Sequence, residues 1–242
     1  MSTEHAMASP RRPKRWGLVA GAALAGAAHG VTISPVLLEI SPDRPVVTIT
    51  ISNPSDRPIH LQSDTLSWNQ TEGADRYEAT DELMIVPPLA EIAPQASQIF
   101  RVTPRRRTFG MREKAYRLVL EDVTPEAPAA SGVGLTFRFR HNLPVFVTDK
   151  GVAAPQPRLR PCMAPAASMC VRLDNEGQRY LQLKRLTLET SEGRKELPAA
   201  GVRVLAGAWR QWVFERPARL QDPVHVRVET SAGPATTVLP AP

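Results

Sequence analysis

Hydrophobic and polar residues alternate along several short stretches of this chain, which is the pattern of half-buried β-strands. Between residues 46 and 52, Val47, Ile49 and Ile51 lie on one face and the residues between them are polar. The stretch ends at a turn-forming sequence, residues 53–56. Similar runs recur between turn signals, and no long apolar pattern has the helical period of 3.6 residues. The chain is therefore predicted to be all-β.

The parity of the apolar residues changes once within the next predicted strand. Ile59 and Leu61 lie on one face, whereas Leu66 and Trp68 lie on the other. A strand keeps one face toward a core only if its apolar residues stay two apart. The change of parity therefore predicts a β-bulge or a break near Asp64.

The longest apolar stripe lies in residues 133–147. All its odd positions except His141 are apolar, and its even positions are mostly polar in the first part. A fully extended segment of this length would span about 50 Å at about 3.3 Å per residue, far more than a usual strand. Its two ends are therefore expected to have different roles. From periodicity alone, the stripe either faces the chain's own core or offers an edge to which another chain adds a strand.

Composition divides the chain into regions. Residues 1–30 place four basic residues ahead of an apolar run rich in Ala and Gly, which predicts a cleaved secretory signal peptide. An uncleaved anchor is the alternative, although a membrane span needs about 20 strongly apolar residues. The Gly-, Ala- and Pro-rich segment 148–157 predicts a hinge. Two β-sandwich domains are thus predicted, in residues 31–149 and 155–242. No internal sequence repeat is strong enough to indicate duplication.

The charge and the cysteines narrow the function classes. The formal net charge is +6, and removal of residues 1–30 lowers it to +3, which does not indicate nucleic-acid binding. Cys162 and Cys170 are the only cysteines. In an exported chain they predict a local disulfide, with two unpaired thiols as the alternative. No residues have the spacing of a metal site, a phosphate loop or a catalytic nucleophile, so neither an enzyme nor a cofactor is predicted.

Several short stretches of residues 31–148 form an ordered set. They are VTISP at 31–35, ISNP at 51–54 followed by Trp68, LMIVPP at 83–88, IAP at 92–94 with QIFRV at 98–102, YRL at 116–118, and NLPVFV at 142–147. In this order and spacing the set resembles the periplasmic pilus-assembly chaperones of chaperone–usher pathways, and it looks closest to their archaic branch. The resemblance implies two immunoglobulin-like β-sandwich domains joined by a short hinge.

The resemblance also implies a function. Such a chaperone works in the periplasm without catalysis, binds pilus subunits by donor-strand complementation and delivers them to an outer-membrane usher. The donor strand falls on Val133, Leu135, Phe137 and Phe139. No cofactor, nucleic acid or stable membrane insertion is expected. The runner-up is an exported immunoglobulin-like structural or adhesive protein whose long strand is self-satisfied. A structural subunit should carry its donor segment at its N-terminus, whereas this stripe is internal, which favours the chaperone.

In the family, basic residues in the cleft between the domains hold the C-terminal carboxylate of the subunit. Leu37 stands where many members have an Arg, and Asn142 stands where they have a Lys. A carboxylate still needs a charge-assisted donor, ideally a bidentate Arg. The candidate anchors are Arg101, Arg138, Arg140 and Asn142, and Arg101 is favoured because it lies within a matching stretch. The alternative for each Arg is a solvated strand face.

Overall fold

Every regular element in the described part of the chain is a β-strand. The computed structural model describes residues 30–106, 110–125, 138–165, 168–191, 193–216 and 222–240. These ranges include no helix long and apolar enough to cross a membrane. The predicted all-β class is confirmed, while the predicted signal peptide lies outside the described residues except for Gly30.

The N-terminal sandwich consists of two sheets. Its described strands are β1 (Thr32–Ser34), β2 (Leu38–Ile40), β3 (Val47–Ser52), β4 (Ile59–Thr71), β5 (Ala74–Ala79), β6 (Leu83–Val86), β7 (Leu89–Ile92), β8 (Ser97–Pro104), β9 (Lys114–Asp122) and β10 (Arg140–Val147). The first sheet has the order β1-β3-β8-β6, and the second has the order β2-β10-β9-β4-β5 with β7 beside β4. The pairing of β10 with β2 is parallel.

The C-terminal sandwich also consists of two sheets. Its described strands are β11 (Pro157–Pro161), β12 (Ser168–Asn175), β13 (Leu181–Thr190), β14 (Gly193–Leu197), β15 (Arg203–Val204), β16 (Trp209–Glu215), β17 (Val224–Thr230) and β18 (Gly233–Leu239). The sheets have the orders β11-β12-β16 and β14-β13-β17-β18, with β15 beside β13. The predicted disulfide between Cys162 and Cys170 is confirmed, and it joins the β11–β12 connection to β12.

The core of the N-terminal sandwich follows the alternation in the sequence. On β3, Val47, Ile49 and Ile51 are buried, and the residues between them face outward. They pack in one cluster with Leu118 and Leu120 of β9, across the sandwich. Each such side chain contributes about 1.5–3 kcal/mol by its burial, which makes this interleaved layer the main source of stability in this half of the chain.

The predicted bulge near Asp64 is wrong. β4 pairs with β9 without a shift of register from Leu61 to Ser67, so the strand passes through Asp64 unbroken. Leu61 points into the core of the N-terminal sandwich, whereas Trp68 points to the opposite face and belongs to the apolar cluster of the C-terminal sandwich. The parity of the apolar residues changes because one continuous strand contributes side chains to two cores.

A buried Asn closes a corner of the N-terminal sandwich. Asn53 follows β3 and is 2% exposed. Its Nδ2 donates to three backbone carbonyls at 2.7 to 3.2 Å, those of Arg57, Ile92 and Ala93. Its Oδ1 accepts the amide of Ser55 at 3.1 Å. One side chain thus supplies the hydrogen bonds that these buried backbone groups require.

The C-terminal sandwich has the same corner. Asn175 ends β12, and its Nδ2 donates at 2.7 to 3.1 Å to the carbonyls of Arg179, Val204 and Leu205. Its Oδ1 accepts the amide of Gly177 at 3.2 Å. Arg179 follows Asn175 by the same interval that separates Arg57 from Asn53. In both sandwiches, the residue two positions after the last of these carbonyls has a positive φ, 57° at Gln95 and 70° at Gly207. The two halves therefore share a structural motif. It involves too few residues to be visible as an internal repeat in the sequence.

We expect Asn175→Ala to lower the free energy of unfolding by about 1–3 kcal/mol, because it leaves buried carbonyls without their donor. Urea titration followed by tryptophan fluorescence measures the loss. Asn69→Ala, at an exposed position of β4, is the matched control and should change stability by less than about 0.5 kcal/mol. Equal effects of the two substitutions would contradict this account of the corner.

Candidate functional site

The outward face of the second sheet of the N-terminal sandwich carries large side chains. On β9, Arg117 lies opposite Leu66 of β4 and opposite Pro144 of β10, so all three share this face. Trp68 and Phe146 lie two residues further along their strands and therefore share it too. We call this surface the cleft face, because the C-terminal sandwich packs against part of it.

An aromatic contact joins the two sandwiches. The ring of Phe146 stacks on that of Tyr180, which precedes β13, with centroids 3.9 Å apart and planes 12° apart. Trp68 lies 5.9 Å from Phe146. Phe146 is fully buried and Trp68 is 3% exposed, and both belong to the core cluster of the C-terminal sandwich. The N-terminal sandwich thus contributes side chains to the core of its neighbour.

The β4–β5 hairpin adds polar contacts to this interface. The side chain of Gln70 donates from Nε2 to the carbonyl of Arg203 and accepts the amide of Leu205 at Oε1, each at 2.9 Å. Arg210 of β16 donates to the carbonyl of Gly73 and forms an ion pair with Asp75. The hairpin is therefore fastened to the C-terminal sandwich by both backbone and charged groups.

A cavity of about 420 Å³ opens between the sandwiches at this interface. Three guanidinium groups line it, those of Arg117, Arg203 and Arg210. The Nε atoms of all three are buried and have no hydrogen-bond partner among the described residues. Burial, with a smaller contribution from Arg117, lowers the pKa of Arg203. Arg210 is already paired with Asp75, which also lines the cavity. An anion would stabilise the other two cations in this partly desolvated cavity, so the site is suited to a carboxylate or a similar group.

Comparisons with known proteins decide the family. A family model described as the N-terminal domain of PapD-type chaperones for pili and flagellar assembly matches residues 30–153. The chain belongs to this chaperone family. The match favours the chaperone over a structural or adhesive protein. A search of curated proteins finds no matching sequence.

Solved structures of pilus chaperones share the fold of this chaperone. The CsuC–CsuE chaperone–tip adhesion subunit complex from the archaic Csu pili of Acinetobacter baumannii matches with 18% identity and a TM-score of 0.64, over 87% of this chain and 98% of that chain. The SafB chaperone with the SafA pilin of Salmonella enterica matches with 17% identity and a TM-score of 0.61, over 87% and 97%. The E. coli chaperone DraB matches with 19% identity and a TM-score of 0.58, over 88% and 96%. The predicted pair of immunoglobulin-like sandwiches is thereby confirmed.

The predicted carboxylate anchors lie in different places on the chaperone. Arg101 is exposed on β8, on the outward face of the first sheet and thus on the opposite side of the sandwich from the cleft face. Arg138 precedes β10, and Arg140 begins it with an ion pair to Glu121 at 3.7 Å. Asn142 is exposed on the cleft face, two residues before Pro144. Asn142 therefore shares a sheet face with Arg117, whereas Arg101 does not, and neither Asn142 nor Arg101 lines the cavity.

The predicted donor segment is described only at its end. Val133, Leu135 and Phe137 lie outside the described residues. Phe139 is 46% exposed, and its carbonyl accepts the amide of Asp122 at 3.0 Å. Further along the same stripe, the side chains are buried in the core of the N-terminal sandwich; these are Leu143, Val145 and Val147. The stripe thus leaves the chaperone's own core between Leu143 and Phe139.

Sequence reasoning missed Arg117. It belongs to one of the family-like stretches, YRL at 116–118, but it was not among the predicted anchors. The available signal was that Arg117 lies on the other face of its strand from the apolar Tyr116 and Leu118. An Arg on the face away from the core must contact either solvent or another domain. Arg203 and Arg210 gave no signal, since no pattern in the sequence relates their strands to the cleft.

A buried carboxylate lies where the interface meets the hinge. Glu113, with 2% of its side chain exposed, accepts the amide of Tyr180 at 2.6 Å and the hydroxyl of Thr148 at 2.7 Å. The guanidinium of Arg179 lies 3.8 Å away. Burial raises the pKa of Glu113, assisted by the negative charge of Glu39, and outweighs these favourable contacts. Glu113 therefore joins the loop before β9, the hinge and the C-terminal sandwich through one titratable group.

We expect Glu113→Gln to remove a pH dependence of stability. A carboxyl whose pKa is raised by folding stabilises the folded state fully below its unfolded pKa, and this contribution is lost as the pH rises through the folded value. Relative to the neutral variant, the wild type should lose up to about 1.4 kcal/mol per pH unit in that window. Urea unfolding from pH 4.5 to 8 measures the difference. Exposed Glu196→Gln is the control, and a Glu113→Gln difference that does not vary with pH would contradict the argument.

Proposed function

We propose that this chaperone is exported with residues 1–30 as its signal peptide and acts in the periplasm. There it would bind pilus subunits by donor-strand complementation and pass them to an outer-membrane usher. The donor side chains would be Val133, Leu135, Phe137 and Phe139. The membership in the chaperone family supports this proposal, as does the CsuC structure, in which a related fold is bound to a tip adhesion subunit.

One observation carries the proposal: β10 has an open edge. β2 pairs only with Val145–Val147 of β10, while β9 pairs with the whole strand. No described strand lies beside the other edge from Arg140 to Pro144. An unpaired edge displays N–H and C=O groups in the spacing that a further strand needs. The stripe of residues 133–139 leads directly into this edge.

Strand addition at this edge would bind without covalent chemistry. Main-chain hydrogen bonds would supply the register, and the alternate apolar side chains would enter the groove of an incomplete subunit. Each large side chain buried there contributes about 1.5–3 kcal/mol before the cost of ordering the segment. Release then requires exchange with another strand, and we propose that the N-terminal extension of the next subunit supplies it at the usher.

The geometry of the open edge also favours one position for the C-terminal end of the client strand. A strand that runs along β10 toward β2 has to stop where β2 begins, at Leu38. That point adjoins the cleft face at Pro144, directly opposite Arg117. We therefore assign the subunit's C-terminal carboxylate to the cavity, with Arg117 as the main donor, Arg203 as a second cation and Asn142 as a polar neighbour. Arg138 and Arg140 lie at the far end of the open edge.

We expect a Leu135→Asp, Phe137→Asp double variant to lose the subunit and keep its fold, since the proposal places both side chains in the client. Co-expression with a subunit and purification from periplasm measures the complex, and the melting temperature of the free protein reports its fold. Val213→Asp, at a half-exposed position of β16, is the control and should leave the complex intact. Unfolding of the free double variant would mean that the stripe is the protein's own core.

We expect Arg117→Gln to weaken binding of a peptide with the sequence of a subunit's last strand by about ten-fold or more, because a charge-assisted hydrogen bond is worth about 1.5–3 kcal/mol. The same peptide with an amidated C-terminus should bind Arg117→Gln and the wild type equally. Isothermal titration calorimetry measures both. Arg101→Gln and Arg140→Gln are the matched controls. If either of them, rather than Arg117→Gln, removes the preference for the free carboxylate, the anchor lies elsewhere.

A further inference from the structure

The carboxylate of Asp75 collects donors from both sandwiches. Its Oδ1 accepts the indole N–H of Trp68 at 2.8 Å and the amide of Gln70 at 2.9 Å. Arg210 of the C-terminal sandwich completes the set with an ion pair. Burial alone would raise the pKa of Asp75, but the hydrogen bonds from Gln70, Trp68 and Arg210 hold it below its usual value. The group is thus a fixed anion at the edge of the cavity.

The hydrogen bond to Asp75 fixes the plane of the Trp68 ring. Phe146 and Tyr77 limit the ring on its other sides, at centroid distances of 5.9 and 6.3 Å. The guanidinium carbon of Arg117 lies 3.8 Å from the centre of the same ring. This is the geometry of a cation–π contact, which contributes about 0.5–2 kcal/mol depending on desolvation.

Arg117 depends on this contact for its position. Its Nε is buried without a hydrogen-bond partner among the described residues, so no described polar group fixes the guanidinium at that atom. An Arg side chain loses up to about 2 kcal/mol of rotamer entropy when it is ordered. A ring that holds the guanidinium in advance removes part of this cost from ligand binding.

We propose that Asp75 and Trp68 are positioning residues for Arg117: Asp75 sets the Trp68 ring, and the ring presents the guanidinium to the carboxylate of the client. Arg210 ties this arrangement to the C-terminal sandwich and offsets the charge of Asp75, which would otherwise repel an incoming anion. The inference rests on the proposed function, since it concerns how the assigned carboxylate site is built. The simpler role for the same residues is to fasten the hairpin to the C-terminal sandwich.

The positioning role and the fastening role predict different values of one ratio, the Kd of the amidated peptide divided by the Kd of the peptide with a free carboxylate. The test compares the Kd of the subunit peptide with a free C-terminus and with an amidated one, by calorimetry, for the full chaperone. Asp75→Ala and Trp68→Phe each remove one partner of the hydrogen bond, and both should lose most of the preference for the free carboxylate while binding the amidated peptide as the wild type does. Asp75→Asn keeps an acceptor for the indole and should retain most of the preference. Glu189→Gln, which removes a carboxylate of similar exposure paired with Arg194, is the control.

Each outcome separates the inference from the function on which it rests. If Arg117→Gln abolishes the preference but the folded Asp75→Ala and Trp68→Phe variants keep it, the positioning role is overturned and the carboxylate site stands. If both variants weaken the two peptides equally, the residues serve only the interface, and the inference is wrong. A wild type without any preference for the free carboxylate refutes the site itself. Should Asp75→Ala fail to fold, the Trp68→Phe ratio decides.

Discussion

The stack of Phe146 on Tyr180, with Trp68 beside it, is the contact on which the other features of this chaperone depend. It takes large apolar side chains from the outward face of one sandwich and buries them in the core of the other. Burial of this kind is strong and non-directional, so by itself it would hold the sandwiches together without fixing their orientation. The polar contacts of Gln70, Arg210 and Glu113 around it supply the direction, since each requires a defined geometry.

The same contact determines the character of the cavity. An Arg on a solvated strand face is hydrated and contributes little to binding. Beside a buried indole and under a second sandwich, Arg117 has lost part of its water, and two further guanidinium groups lie on the same cavity. Such cations interact with an anion more strongly than surface cations, because the local dielectric response is weaker. The interface thus lines the cavity and also increases the strength with which its cations attract an anion.

Individual strands show which features of the fold can be predicted from the sequence and which cannot. The alternation of Val47, Ile49 and Ile51 gave the correct inward face of β3, because one strand there faces one core. In β4 the same rule predicted a bulge that does not exist, since periodicity reports that a side chain is apolar and not which core receives it. Arg117 escaped notice for a related reason. Its environment is made by Trp68 of the neighbouring strand and by a second sandwich, whose docking no local pattern encodes. Arg101, which lies in an equally family-like stretch, faces away from the cleft.

The open edge of β10 explains why the long stripe needs two environments. A hydrophobic edge strand exposed along its whole length invites uncontrolled pairing. Here β2, a strand of three residues, closes one end of the edge, and Pro144 adjoins it without an N–H to donate. Downstream of Pro144 the stripe belongs to the chaperone's own core. Upstream of it, no described strand pairs with this edge from Arg140 to Leu143. A short strand and one proline therefore confine strand addition to a single stretch, whose inner end at Pro144 lies opposite Arg117.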